Sequence, residues 1–127
     1  MKKLRHGIVL GSNELSKLVF AAMEAVTRTA LGDEVSVFLT MDAVQGFTKE
    51  PKVSDEQESS KAAKQDNRTY MDLFQMAKKN GKAKLYACSY ASKLFNFTRD
   101  SYTEVVDDIV GITSFVLEVN GQVSSIW

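Results

Sequence analysis

Ala83-Lys84-Leu85-Tyr86-Ala87-Cys88-Ser89-Tyr90-Ala91-Ser92-Lys93-Leu94-Phe95 is the stretch on which the reading of this chain turns. Ala83 to Ala87 is a short β-type run, and Ser89 to Phe95 reads as a helical turn, so Cys88 stands where a strand hands over to a helix. A thiol at that junction meets unpaired backbone N–H groups and the positive pole of the helix dipole, which favours thiolate over thiol. In alternating α/β chains the carboxyl edge of the sheet is also where ligands bind. Two readings of Cys88 stand side by side: a reactive thiol, and an inert, half-buried one, since free cysteine is often simply packed.

The stretch belongs to a regular alternation. Gly7-Ile8-Val9-Leu10 is a compact β run punctuated by Gly11-Ser12-Asn13, where Ser12 or Asn13 can cap the next helix. Leu15, Leu18, Val19, Ala22, Met23, Val26 and Ala30 recur at helical spacing before Gly32-Asp33 ends the run. Glu34 to Leu39 is rich in β-branched and aromatic residues, and a second helix is expected from about Thr69 to Lys79, stopping at Asn80-Gly81. After Cys88, Glu104 to Ile109 reads as a short strand and Gln122 to Trp127 as a last one. Ile112 to Val119 would pass for a strand by composition, but the closing Asn120-Gly121 and the need for a crossover favour helix. The pattern predicts one α/β domain over residues 1–127, with a mostly parallel sheet and helices on both faces.

One segment departs from it. Residues 48–68 are crowded with Lys, Glu, Asp, Gln and Ser, hold the only proline, Pro51, and offer no bulky apolar residue but Val53. Such a stretch buries too little surface to offset its ordering entropy. It reads as a mobile surface insertion, or more sharply as a lid that orders over the thiol or docks a partner.

Composition sets outer limits. The chain has 127 residues, with 16 basic and 16 acidic side chains in balance, so nothing points to nucleic acid or an anionic membrane as partner. One cysteine excludes an intrachain disulfide and argues for a reducing compartment. With one His and one Cys, a zinc site of the usual type is not expected, and no sequence feature calls for a cofactor. The start, Met1-Lys2-Lys3-Leu4-Arg5-His6, is basic, but the following Ile8-Val9-Leu10 is too short for a signal-peptide core. A cytoplasmic protein is the expectation.

Other motifs are weak. Gly11-Ser12-Asn13-Glu14-Leu15-Ser16-Lys17 has neither the glycine a phosphate loop needs at Ser16 nor the hydroxyl it needs at Leu18. Ser12, Asn13 and nearby N–H groups can still hold a small anion, although capping is the simpler role. Single His6 heads the first strand beside a basic tail and reads as a solvated end. Asp107 and Asp108, adjacent on a strand, point to opposite faces and do not make an acid pair. Met41, Asp42, Gln45 and Phe47 follow the second strand and are placed to wall a pocket at Cys88. Phe97 and Tyr102 read as core or interface.

The order of elements, the thiol in Tyr86-Ala87-Cys88-Ser89-Tyr90-Ala91-Ser92 and the Asp108-Ile109-Val110-Gly111-Ile112-Thr113-Ser114-Phe115 segment together resemble the DsrE/DsrF-like family. The resemblance spans the chain, each piece being short. It implies a five-stranded domain with flavodoxin-related layering, usually a homotrimer or hexamer. It also implies a role in sulfur trafficking, with donor and acceptor proteins or small sulfur anions as partners. By that resemblance Cys88 is the sulfur-bearing position and Ser92 a nearby polar one; Ser89 belongs to the same run. The second cysteine of some relatives and the membrane-spanning extension of others are not found here, which puts a two-thiol cycle within the chain in doubt. Three functions follow in order: a sulfur carrier or sulfurtransferase, a thiol peroxidase forming a sulfenic acid, and a non-enzymatic assembly or ligand-binding domain with an incidental cysteine.

Overall fold

The computed structural model describes residues 4–127, so Met1, Lys2 and Lys3 of the basic start lie outside it. Strand β1 (Arg5–Leu10) leads into helix α1 (Leu15–Ala30) and strand β2 (Glu34–Leu39). A 3-10 segment (Met41–Phe47), a short helix α2 (Glu58–Ala63) and helix α3 (Tyr70–Asn80) precede strand β3 (Ala83–Cys88). Helix α4 (Ser89–Leu94), strand β4 (Asp108–Val110), helix α5 (Ile112–Val119) and strand β5 (Gln122–Ile126) complete the chain. The five strands lie in the order β4-β3-β2-β1-β5, and every pairing is parallel. The sheet is thus wholly parallel where the sequence predicted a mostly parallel one.

Both faces are covered, and strand alternation shows how. His6 meets Glu24 of α1, whereas its neighbour Gly7 lies so close to Phe115 and Val119 of α5 that an added Cβ would stand 3.1 Å from each. Neighbouring residues of a strand point to opposite faces, so α1 and α5 sandwich the sheet. On the α5 side Phe38 stacks on Phe115 at 4.9 Å between ring centroids. Ser36 and Tyr86 both donate to the Glu118 carboxylate there. On the other side α1 packs on α3, and Leu18, Ala21, Ala22 and Ala25 are fully buried. Because β4 and β5 are opposite edges, α5 crosses the width of the sheet, which an apolar helix does and a strand cannot.

Two element boundaries differ from expectation for local reasons. The strand expected over residues 104–109 is only Asp108–Val110, because Asp107 turns its side chain into the ladder. Asp107 Oδ2 accepts from the Leu85 N–H at 2.8 Å and pairs with Lys78. Asp108 pairs with Arg99 instead, so the two carboxylates have separate partners. The N-cap of α1 is Glu14, not Ser12 or Asn13. Ser12 Oγ accepts from the Glu14 N–H, and Asn13 Nδ2 donates to the Lys52 carbonyl.

His6 is a further correction. It is buried rather than a solvated end, with Nε2 at 3.1 Å from Glu24 Oε2 and 2.9 Å from Ser124 Oγ. Parallel pairing to both β2 and β5 draws this position inside, where a strand-end histidine on an edge would be wet.

The charged segment is tethered by polar contacts that its composition conceals. Glu14 forms an isolated bridge with Ser54, and the Leu15 and Ser16 N–H groups donate to the Ser54 carbonyl and to Ser60 Oγ. Ser60, on α2, is fully buried. Farther back, Thr48 bridges Tyr102 and the Lys49 N–H donates to the Ser101 carbonyl. Apolar area is scarce here, as the sequence indicates, and satisfied hydrogen bonds anchor the segment in its place.

Candidate functional site

Cys88 is the last residue of β3 and the N-cap of α4. Its Sγ accepts a hydrogen bond from the Ala91 N–H at 3.4 Å, the position a capping oxygen would take. The junction read from the sequence is therefore present, and the sulfur caps the helix itself. The thiol is 5 % exposed, so approach is narrow.

The run around it splits in two. Ser89 is exposed and sits beside Gly111, whose added Cβ would stand 3.7 Å from Ser89 Oγ. Ser92 points inward, with Oγ 2.6 Å from the hydroxyl of buried Tyr102. Tyr102 in turn packs edge-on against Phe97 at 5.8 Å, and Phe97 stacks on Phe95. Burial raises the Tyr102 pKa above its ordinary value and negative charge on Cys88 raises it further, while the Ser92 hydrogen bond opposes both. The phenol thus remains protonated at neutral pH. Tyr102, read from the sequence as core or interface, is part of the cysteine's surroundings. Only its register against Thr48 and its bond to Ser92 place it there, and neither is a local sequence signal.

Met41 and Gln45 follow β2, the neighbour of β3, on the same carboxyl edge as Cys88. Met41 is exposed and holds φ at 49°, in the left-handed region that a side chain of its kind adopts at a cost of about 1–3 kcal/mol. Gln45 lines a groove of about 520 Å³ with Lys49, Lys52, Phe95, Phe97 and Ser101. Phe97, one of its walls, packs on Tyr102. Cys88 itself does not line the groove.

Ser12 and Asn13 lie at the end of β1, separated from β3 by β2. The N–H groups that would receive an anion there are engaged. Those of Leu15 and Ser16 bond the charged segment, and those of Lys17 and Leu18 bond the Glu14 carbonyl. The Glu14 carboxylate accepts from Ser60, the Gln57 N–H and Ser54, which hold it down at about 2. The chain's own carboxylate and serines thus occupy the start of α1.

The crevice where strand order reverses, between β1 and β5, is the usual ligand position in such sheets. Trp127 covers it: a Cβ on Gly11 would stand 2.1 Å from the indole ring, and Lys17 donates to the Trp127 main-chain oxygen. Cys88 lies away from this crevice, between β2 and edge strand β4. Among the described residues no helix is long and apolar enough to cross a membrane.

A family model described as the DsrE/DsrF-like family matches residues 7–121. Among solved structures, a protein of unknown function from Methanobacterium thermoautotrophicum, MTH1491, is similar in fold. It has a TM-score of 0.62 and 11 % identity, over 96 % of this chain and 98 % of that one. At that identity the likeness concerns the fold alone. No curated protein matches the chain.

Proposed function

The chain belongs to the DsrE/DsrF-like family, and from that premise we propose that it is a sulfur carrier in which Cys88 accepts sulfur from a persulfide or thiosulfonate donor and passes it to an acceptor thiol. The observation that supports this reading is the seating of Cys88 Sγ on the Ala91 N–H at the carboxyl end of β3. A backbone donor fixed on the sulfur steadies negative charge there, which is the state that attacks an outer sulfur and the state that loaded sulfur assumes. The Cys88 thiolate attacks the donor's outer sulfur, the donor's S–S bond breaks, and the remainder departs with the electron pair. With one cysteine in the chain, the acceptor thiol comes from another molecule. Small sulfur anions suit a buried thiol of this kind. We place the carrier in the cytoplasm as a homo-oligomer, trimer or hexamer, of this chain.

The burial of Cys88 supports a second reading, an assembly or ligand-binding domain in which the thiol is incidental. One experiment separates them: intact-mass spectrometry after exposure to thiosulfate, tetrathionate, polysulfide and, separately, peroxide. A sulfur adduct confined to Cys88 and missing from Cys88→Ser supports the carrier. An oxygen adduct alone turns the assignment to a thiol peroxidase, and no adduct leaves the binding domain.

A further inference from the structure

Two Asn–Gly pairs occur in the chain, Asn80-Gly81 and Asn120-Gly121, and both asparagines are exposed. A glycine after asparagine has no side chain to shield its amide nitrogen, so the asparagine side-chain amide is open to attack by its own main chain. Exposure does not tell the two pairs apart; the freedom of the backbone does. Ring closure requires the peptide between the two residues to turn until the glycine nitrogen faces the asparagine Cγ.

At Asn120 that turn is blocked. The residue caps α5 in the left-handed region, with φ of 40° and its N–H on the Val116 carbonyl at 3.1 Å. Gly121 is pressed on β1, where an added Cβ would stand 2.6 Å from the Arg5 carbonyl oxygen. The next residue, Gln122, is already paired with His6 in the sheet. Turning the peptide would lift the start of β5 off β1. At Asn80 nothing comparable holds the chain. Asn80 is the last residue of α3, and helix ends fray. Gly81 is exposed and extended, with φ of 175°, and an added Cβ would meet only the Thr29 carbonyl oxygen, at 3.8 Å. The chain is taken up again at Lys82, whose carbonyl accepts from the Val35 N–H.

We infer that Asn80 is a site of spontaneous deamidation and that the fold protects Asn120 from the same reaction. The Gly81 nitrogen attacks Asn80 Cγ and a C–N bond forms. The side-chain amide leaves as ammonia, taking the Gly81 amide proton, and a succinimide ring closes. Water then opens either carbonyl of the ring, to aspartate or to isoaspartate, with no oxidant or reductant. Both products place a carboxylate at the negative pole of α3. Isoaspartate also adds a carbon to the main chain just ahead of β3, the strand that ends in Cys88.

The test holds the full chain at mildly alkaline pH for days and follows conversion of each asparagine by peptide mapping with mass spectrometry. A parallel sample in urea gives the intrinsic ratio of the two sites. In the folded chain the ratio of Asn80 to Asn120 conversion is expected to exceed the urea ratio at least about tenfold. The opening that Asn120 requires breaks sheet contacts, and the one that Asn80 requires does not. Labelling of the aged chain by an isoaspartyl methyltransferase should fall on the Asn80 peptide. Gly81→Ala, which the extended backbone accepts, should slow conversion at Asn80 several-fold and leave Asn120 as it was. A folded-state ratio equal to that in urea overturns the inference. So does conversion at Asn80 that Gly81→Ala leaves unchanged in a variant with parent-like circular dichroism.

Discussion

Ser54 Oγ donates to Glu14 Oε1 at 2.8 Å, joining the charged segment to the first residue of the α1 cap. With the Gln57 N–H on the second carboxylate oxygen, Glu14 is held in a fork that belongs to residues some forty positions away. The hydrogen bonds favour the charged form, which is why its pKa falls to about 2 from 4.5. The group is depressed in the folded state, so its contribution is complete above about 4.5 and is lost as pH falls toward 2.

Glu14→Ala is therefore expected to free residues 54–66 while leaving the sheet intact. Limited proteolysis within that segment should accelerate several-fold, and acidification below about 4.5 should do the same to the parent. Alkylation of Cys88 by a bulky reagent adds a second readout. Faster alkylation in Glu14→Ala marks the segment as a lid, and an unchanged rate marks it as a surface insertion.

His6 gives the opposite end of the sheet its own pH dependence. Burial lowers its pKa below 6.5, and nearby Arg28 adds to that, while Glu24 opposes. Asp33 also opposes. The unfolded chain thus binds the proton more readily, so stability falls as pH drops through the range below about 6.5. Urea unfolding at a series of pH values should show this slope, and His6→Gln, which cannot titrate, should flatten it. An unchanged slope in that variant would assign the acid sensitivity elsewhere.

Much of the fold is legible in the residues. The glycine and asparagine bounds of Ile112 to Val119 identify a helix that composition alone would make a strand, and the αL cap at Asn120, with φ of 40°, is the physical reason. Strand β4 is shorter than its apolar pattern because the Asp107 side chain replaces a backbone partner, which a pattern of hydrophobicity cannot express. The cysteine's place at the β3–α4 junction was readable, but its surroundings were not. Tyr102 reaches Ser92 through a loop whose path is set by a bridge to Thr48. Likewise Ser60 is buried because a carboxylate and a helix start await it, not because serine seeks the interior. Polar tertiary anchors leave no periodic trace.

Gly11 and Trp127 supply a fluorescence test of the β1–β5 crevice. Trp127 is the single tryptophan and packs one face over Gly11 while remaining 57 % exposed. Any Cβ at position 11 would stand 2.1 Å from its ring, and a ring at the end of the sheet can swing away. Gly11→Ala is expected to shift the emission to longer wavelength and to change stability by about 1 kcal/mol or less, since no core side chain moves. An unshifted spectrum would mean that the indole lies elsewhere in solution.

Self-association is the last expectation, and the exposed apolar side chains of α1 carry it. Phe20, Met23 and Leu31 are 59 %, 51 % and 63 % exposed, and they line a groove of about 400 Å³ with Thr27. Strand β5 leaves one edge of the sheet unpaired, with Val123 exposed on it, and Val116 and Leu117 of α5 are exposed on the opposite face. Large apolar side chains gathered in this way are costly to leave in water, at about 25 cal/mol for each Å² that association would cover. Trp127 packs over Gly11 of its own chain, which leaves the α1 face as the principal surface for association. Light scattering at micromolar concentration should give a multiple of the chain mass. Phe20→Glu together with Met23→Glu should reduce it toward the monomer without loss of helix content, since neither side chain contributes to the buried core. A monomeric parent would refute the assembly, and an unchanged mass in the double variant would move the interface to the α5 face or the β5 edge.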